Sequence, residues 1–587
     1  MSGMPRWMLA AVLVSSGCKA PPAPTQANAY ADPALCASCH AEIYRGYRQS
    51  GMARSFSAFR FDRTAASFTR NRFHHPKSDR HYEMIRRGER AYMRRFQLDA
   101  AGLETNVLEK SIDFIMGSGH KAQTFLHRNQ RGELIQLPVA WYTAGGGYWA
   151  MNPGYDRPDH EDFRRRIRHD CFFCHNSYPA VADDSFYGDA IYPPRLPEGI
   201  DCQRCHGPGG LHAKSGAPEQ IINPARLPPA RAMEVCLQCH LQSTSRALPY
   251  SVLHLDRGVF SYRAGEPLAE YANHFDEQTA GGKFEIAHAA YRLRQSRCFL
   301  ASDKLGCTTC HDPHHVERGP QRASKACRTC HATKADAAHR AATECVSCHM
   351  PRRRTDDVVH VVMTDHRIQR RPPANLLAAK EESPDRAYRG RVTAYYPQPA
   401  DPLLEAVAQV RAGANLEHGI PLLEKLLLTA KPTGPQAYYE LAEAYWKAGN
   451  SSRAFHWHEQ SLARDPGFLP ALRSFGMELS ESGQLERGSV MLRRALDAAP
   501  KDPRTLHDLG VNFAKQGKHP DAVRTLRAAL AADPDAPETQ NALAASLFEL
   551  GDAAGAEAAF RSALRARPDY TLARDNLARL LALQGRR

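Results

Sequence analysis

Seven copies of the pattern Cys-x-x-Cys-His place two thiols directly before an imidazole, and together they use fourteen of the sixteen cysteines. Two thiols at this spacing can add across the two vinyl groups of a porphyrin, and the histidine that follows can ligate the iron through a neutral nitrogen. The sequence therefore predicts seven covalently bound c-type haems. In chain order, the first to the seventh motif are Cys36-Cys39-His40, Cys171-Cys174-His175, Cys202-Cys205-His206, Cys236-Cys239-His240, Cys307-Cys310-His311, Cys327-Cys330-His331 and Cys345-Cys348-His349.

Other uses of paired cysteines explain this pattern less well. A single Cys-x-x-Cys unit could be half of a zinc site or a redox-active dithiol. Neither a zinc ribbon nor a disulfide scaffold needs a histidine after every unit, whereas histidine follows all seven units here. Outside the motifs, Cys298 is interpreted as a small buried side chain.

The chain of 587 residues has a formal charge of +14 and a pI of about 9.1. Its length suggests two or more domains. A basic balance ordinarily indicates an acidic partner such as nucleic acid. Seven haems would add about fourteen propionate carboxylates, which roughly offset this charge. We therefore expect no nucleic-acid partner.

The first 28 residues are interpreted as a leader and tether. Covalent haem attachment takes place outside the cytoplasm, so we expect export, to the periplasm or to a membrane anchor that faces it. Residues 1–6 form a short positive segment, and the apolar run 7–14 is too short to span a membrane. The small residues before Cys18 are similar to a bacterial lipoprotein cleavage site, although Ser15 stands where leucine is usual. Ordinary cleavage a few residues later is the alternative.

Residues 29–369 are interpreted as the haem-binding domain, with a small sheet inserted between its first two motifs. Hydrophobic alternation in 81–96 around Gly88 predicts a hairpin, and 114–126 and 132–142 repeat the alternation. Further along, the apolar residues of 283–299 have helical spacing. We therefore expect a mainly α-helical, haem-packed domain that contains a small β insertion.

Histidines outside the motifs could bind the second face of a haem. His120 lies in a Gly-Ser-Gly turn, and His314 follows His311 by three residues, so each could face a haem. A solvent-exposed surface histidine is the alternative interpretation at both positions. Four further histidines are weaker candidates: His74, His75, His254 and His274.

The first motif and the aromatic segment after it, Leu35 to Phe56, resemble the multihaem cytochromes related to hydroxylamine oxidoreductase and its tetrahaem electron-accepting cytochrome. In that family a Q-S-x-H turn follows the first motif, and Met52 occupies the position of its histidine here. Methionine can ligate haem iron, so Met52 is a candidate ligand. The alternative is an apolar side chain that packs against the porphyrin. The run C-H-G-P-G-G-L-H is similar to a family arrangement in which the later histidine, here His212, ligates a neighbouring haem. The resemblance implies the same role for His288 and, in the D-H-R segment, for His366.

The C-terminal third is an internal repeat. Residues 370–400 are basic and then proline-rich, which predicts a linker. From Asp401 onwards cysteine is absent, and prolines and glycines recur every thirty-four residues. This pattern resembles tetratricopeptide repeats, which have two helices per unit and stack into an α-solenoid. We expect four clear units over 435–570, a degenerate unit over 401–434 and a cap helix over 571–583, in a repeat domain that spans 401–587.

Two functions compete on this sequence. In the first, an exported cytochrome transfers electrons along its haems and docks a redox partner protein through the repeats. In the second, a multihaem oxidoreductase acts on a small nitrogen or sulfur compound at one five-coordinate haem. The related pentahaem nitrite reductase uses a Cys-x-x-Cys-Lys motif, but all seven motifs here end in histidine. No tyrosine can be matched to the cross-link of hydroxylamine oxidoreductase. We therefore favour electron transfer and expect no catalytic residue.

Overall fold

The computed structural model describes residues 28–241, 250–278, 282–316, 319–331, 344–382, 388, 390–413 and 415–586. The predicted leader, with Cys18, lies outside these residues. Among the described helices, none combines the length and the apolar character needed to cross a membrane.

The N-terminal region is richer in β-structure than the small insertion predicted from the sequence. Its two antiparallel sheets have four and six strands. The expected hairpin around Gly88 is confirmed, and Met84 pairs with Met93 across it. Alternating side chains of these strands are buried against aromatic residues from the second sheet, which explains the hydrophobic alternation. The strands are Phe56–Ala58, Arg72–His75, Arg80–Arg87, Arg90–Leu98, Glu104–Ile112, Phe114–Met116, Ala122–Arg128, Leu134–Gln136, Val139–Tyr142 and Tyr148–Met151.

The Cys-x-x-Cys-His motifs lie on or beside short helices with little regular structure between them. The predicted helix over 283–299 is divided in two, and His288 immediately precedes its first part. An aromatic core packs beneath the second and fourth motifs. The helices are Cys36–Cys39, Ala41–Tyr47, His169–Phe173, Gln203–His206, Gly210–Ser215, Pro229–His240, Ala289–Leu293, Arg297–Leu300, Cys307–Cys310, Gln321–His331 and Val346–His349.

The segment 370–400, predicted as a linker, contributes a strand to the domain before it. Val392–Tyr396 pairs with Ala272–Glu277, which in turn pairs with Tyr250–Leu253. Glu382 accepts hydrogen bonds from the backbone N–H groups of Gly154 and Asp156. The proline-rich segment 370–400 shows no hydrophobic periodicity in its sequence, because only five of its residues form the strand. A short two-stranded ribbon, Arg352–Arg354 with Val362–Thr364, follows the seventh motif.

Paired antiparallel helices form the C-terminal region, with the unit boundaries expected from the repeat. Neighbouring helices cross at small residues, and Gly510 packs against Leu526. The recurring glycines have φ between +67° and +80°, the left-handed conformation that ends a helix. The helices are Pro402–Arg411, Leu416–Ala430, Gln436–Lys447, Ser451–Arg464, Leu469–Glu481, Leu485–Ala498, Pro503–Lys515, His519–Ala532, Pro537–Glu549, Ala553–Ala566 and Thr571–Leu583.

The repeats pack directly against the N-terminal region. Tyr187 packs edge-on against the rings of Tyr439 and Phe468 and donates a hydrogen bond of 2.7 Å to Glu440. Basic residues of the sheets pair with acidic residues between the repeats, and Arg166 lies 2.8 Å from Asp533. The further pairs along this edge are Arg80 with Asp569, Lys110 with Asp535, Arg131 with Asp502 and Arg164 with Glu538.

Candidate cofactor-binding site

Three motif histidines each face one histidine that the sequence analysis proposed as a second ligand. The ring centres of His40 and His212 are 6.2 Å apart, with 16° between the ring planes. The other two pairs are His206 with His314 at 5.9 Å and His311 with His366 at 6.1 Å. By contrast, the directly stacked surface rings of His74 and His81 have centres 4.2 Å apart. The three wider pairs therefore leave space between their imidazoles.

Backbone carbonyls orient several of these imidazoles. Nδ1 of His206 donates to the carbonyl oxygen of Ile222 at 2.8 Å, and Nδ1 of His212 donates to that of Ala217 at 2.9 Å. Nδ1 of His366 and of His349 make the same kind of bond. A proton held on Nδ1 leaves Nε2 with its lone pair, which is the usual arrangement of a metal-binding histidine.

Burial keeps the central imidazoles neutral. It lowers the pKa of His206, and the nearby imidazoles of His314 and His40 lower it further. Burial also lowers the pKa of His311 and of His366. Only a neutral imidazole can bind a metal ion, so these rings are in the ligating form at neutral pH.

The seven motifs form one connected group. The fourteen motif cysteines are free thiols. Contacts between thiols join the first motif to the third, the second to the fourth, the fourth to the fifth and the sixth to the seventh: Cys36 with Cys202, Cys174 with Cys239, Cys236 with Cys307 and Cys327 with Cys345. The imidazole pairs add links from the third motif to the fifth and from the fifth to the segment after the seventh. The helices of the fifth and sixth motifs, Cys307–Cys310 and Gln321–His331, also pack together, so all seven motifs are joined.

A buried ion pair holds the segment that carries His366. Arg292 binds Asp365 through two hydrogen bonds of 2.9 and 2.7 Å, and both side chains are almost fully buried. Ser296 accepts a hydrogen bond of 2.8 Å from the N–H of Ile368. Arg292, on the helix Ala289–Leu293, and Ser296, directly before the helix Arg297–Leu300, therefore fix the backbone on both sides of His366.

Met52 and His120 lie together beside the second motif. A Cβ atom on Gly51 would lie 3.7 Å from Nδ1 of His120. The turn continues to Ser55, whose hydroxyl donates to the carbonyl oxygens of Met52 and His175, each at 2.7 Å. The Nδ1 atom of the partly buried His175 is shielded from solvent and has no hydrogen-bond partner. The turn thus brings both proposed ligands close to the second motif.

The other proposed histidines have different surroundings. His288 is fully buried and lies 3.5 Å from Glu285, and burial lowers its pKa to about 3. His274 is buried in a strand beside Ser251, and its Nε2 has no partner. Nε2 of His254 donates a hydrogen bond of 2.9 Å to the carbonyl oxygen of Ala269, so this nitrogen is already engaged. His74 and His75 bind Asp79 and Asp156 at 3.1 and 3.0 Å.

Sequence reasoning did not identify His169, two residues before the second motif. Its side chain is 3% exposed, and neither ring nitrogen has a partner. It packs on Tyr192 and Phe260, and burial lowers its pKa. Its position directly before Asp170 and Cys171 was the available signal. Sequence reasoning also gave no indication of which two histidines would meet, because the partners are 55 to 172 residues apart.

Comparisons with known proteins concern the C-terminal region. A family profile described as tetratricopeptide repeat matches residues 475–537 and 507–571. The solved structure of MamA from strain AMB-1 is 22% identical, and the match covers 28% of this chain and 95% of that one with a TM-score of 0.26. MamA from Desulfovibrio magneticus RS-1 is 17% identical over 29% of this chain and 94% of that one, with a TM-score of 0.27. No curated protein matches the chain. The chain therefore carries tetratricopeptide repeats in its C-terminal region.

Proposed function

We propose that the seven motifs bind seven c-type haems covalently and that the protein transfers electrons. The observation that carries this proposal is the spacing of the three imidazole pairs. An imidazole nitrogen lies about 2 Å from a metal that it binds, so two imidazoles on opposite faces of one iron have ring centres about 6 Å apart. The observed separations are 5.9 to 6.2 Å.

The surrounding residues fit haem better than a smaller metal site. Each pair belongs to a motif whose two thiols are free to form thioether bonds. Haem iron held between two imidazoles exchanges one electron and offers no open face to a substrate. The carbonyls of Ile222 and Ala217 hold the rings in the ligating tautomer. The contacts between motifs then provide a continuous route through the domain.

The number and attachment of the haems can be measured directly. Intact-protein mass spectrometry should show the mass of seven haems, and acid-acetone extraction should leave the colour on the protein. A colourless protein, or one that loses its pigment to the solvent, would contradict the proposal. Electron paramagnetic resonance of the oxidised protein then tests the function. Low-spin signals alone support electron transfer, whereas a high-spin signal that shifts with hydroxylamine or nitrite would favour an oxidoreductase.

The repeats suggest protein–protein interaction, and we assign to them the docking of a redox partner. Large apolar side chains are exposed at the end of the solenoid, among them Phe548, Leu550 and Leu572. Replacement of Phe548 and Leu572 by serine should leave the haem spectrum unchanged but slow haem reduction by membranes of the source cell. Unchanged reduction kinetics would remove this surface from the proposal.

We assign the protein to the periplasmic side of the membrane, because haem is attached to such motifs after export. Fractionation should recover the haem-loaded protein outside the cytoplasm. Replacement of Cys18 by serine should release it from the membrane fraction if the cysteine is lipidated. Equal release of the wild type and the variant would show that Cys18 is not an anchor.

A further inference from the structure

A second ligand set lies within the repeats, far in sequence from the motifs. Glu443, His458 and Glu478 come from three consecutive helices, Gln436–Lys447, Ser451–Arg464 and Leu469–Glu481. One ligand atom from each residue lies within 4.8 Å of the other two. A nitrogen and two carboxylate oxygens are a donor set that binds zinc and similar divalent ions in proteins.

The cluster is buried and its polar atoms are incompletely paired. His458 and Glu478 are both 0% exposed, and Nε2 of His458 lies 3.0 Å from Glu478. Nδ1 of His458 and Oε1 of both glutamates have no hydrogen-bond partner. Buried polar atoms without partners are rare in folded proteins, and each one costs stability. Each of the three side chains of the cluster carries one such atom, which points to a ligand that they share.

The negative charge of the two carboxylates in the cluster would also be stabilised by a bound cation. Two ionised carboxylates in a buried site repel each other and lose their hydration. Burial, and then the charge of the other acidic groups, raises the pKa of both: Glu478 reaches about 8, beside Glu481. Lys447 is the basic group that faces Glu443. Aromatic rings of Tyr439 and Phe475 cover the imidazole and limit the access of water.

We propose that Glu443, His458 and Glu478 bind one divalent transition-metal ion of the zinc class and thereby join the first two clear repeats. The same residues support Tyr439, whose ring contacts Tyr187 of the N-terminal region. The metal would therefore stabilise the part of the solenoid that holds that region.

Zinc binding by the full-length, haem-loaded protein tests this site. The protein is treated with EDTA, loaded with Zn²⁺, passed over a desalting column and analysed for zinc per chain. The variant E443Q/E478Q keeps the side-chain shapes but removes both charges. We expect the wild type to retain one zinc ion more than this variant. The control H74N/H81N removes the exposed cluster formed by His74, Asp79 and His81, and it should retain as much zinc as the wild type.

Equal zinc contents of the wild type and E443Q/E478Q would overturn the proposal. X-ray absorption at the zinc edge of the wild type provides a test that does not depend on the folding of a variant. It should show nitrogen and oxygen ligands at about 2.0 to 2.2 Å. Sulfur ligands would place the zinc on the motif cysteines and also overturn the proposal. Neither measurement requires the haems to have the proposed ligands, so the two proposals can fail separately.

Discussion

The histidines differ in which ring nitrogen the protein already uses, and this difference predicts which of them bind haem. In His212 a carbonyl occupies Nδ1, whereas in His254 a carbonyl occupies Nε2. Replacement of His212 by alanine removes the imidazole that faces His40, so one haem should lose its second ligand. We expect a new high-spin ferric signal in electron paramagnetic resonance, with an intensity of about one haem per chain.

His254 provides the matched control for this experiment. Its replacement by alanine removes a histidine of the same domain whose Nε2 donates to Ala269. The spectrum of this variant should remain that of the wild type. A high-spin signal in the His254 variant, or none in the His212 variant, would contradict the assignment of ligands from the ring-nitrogen contacts.

His160 makes the stability of the N-terminal region depend on pH. Burial lowers its pKa to about 3, against the opposing charge of Asp162 and with a smaller contribution in the same direction from the charge of Arg80. Its ring accepts a hydrogen bond from Arg80 at 3.0 Å. The unfolded chain, with an ordinary histidine pKa near 6.5, binds the proton more readily. The contribution of His160 to stability is therefore complete above about pH 6.5 and decreases as the pH falls towards 3.

The variant His160→Gln tests this pH dependence. Glutamine keeps a hydrogen-bond acceptor for Arg80 but does not titrate. As the pH is lowered from 6 to 5, the free energy of unfolding of the wild type should fall more steeply than that of the variant. The difference between the two slopes should be up to about 1.4 kcal/mol per pH unit. Chemical denaturation at several pH values measures both slopes. Parallel slopes would show that His160 is protonated equally in the folded and unfolded states.

At the scale of the helix pair, close contacts at glycine determine the stability of the repeats. A Cβ atom on Gly510 would lie 2.6 Å from Cγ of Leu526, which is fully buried. Replacement of Gly510 by alanine should therefore force the two helices apart and destabilise the protein by about 1–3 kcal/mol, despite the better helix propensity of alanine. Thermal unfolding followed by circular dichroism measures this loss.

Gly467→Ala is the control for the helix-crossing experiment. Gly467 is exposed in a loop, and the atom nearest to a Cβ there is 3.5 Å away. This variant should unfold at nearly the same temperature as the wild type. An equal loss in both variants would mean that the close helix contact is not the cause.

The sequence revealed those elements whose signals are local or periodic. The thirty-four-residue step predicted the helix pairs and the cap helix, because each unit repeats the same packing. The hairpin around Gly88 followed from alternation. Alternation did not reveal the strand Val392–Tyr396, because this strand pairs with Ala272–Glu277, more than a hundred positions away in the sequence. The sequence also did not show which imidazoles meet, because partners such as His40 and His212 are far apart along the chain.

At the scale of the whole molecule, charge complementarity joins the sheets to the repeats. Arg80 and Arg95 are 1% and 0% exposed, and both reach across to the last clear repeat. Arg80 pairs with Asp569, and Arg95 donates to the carbonyl of Arg565 at 2.8 Å. Through these contacts the solenoid and the N-terminal region share buried side chains. We therefore expect both parts to unfold together.

Removal of acidic partners from this contact should separate the two unfolding transitions. The variant Asp533→Asn with Asp569→Asn removes the carboxylates that the repeats offer to Arg166 and Arg80, whereas Glu133 and Asp162 remain beside these arginines. A buried charge without any partner costs several kcal/mol. Because each arginine keeps one carboxylate and Asp569 is 28% exposed, we expect a loss of about 1–3 kcal/mol. Haem absorbance should then report unfolding at a different temperature from helical circular dichroism.

The variant Asp575→Asn, at an exposed position of the cap helix, is the control and should keep the two transitions together. Coincident transitions in the double variant would show that apolar contacts such as Tyr187 suffice to join the two regions.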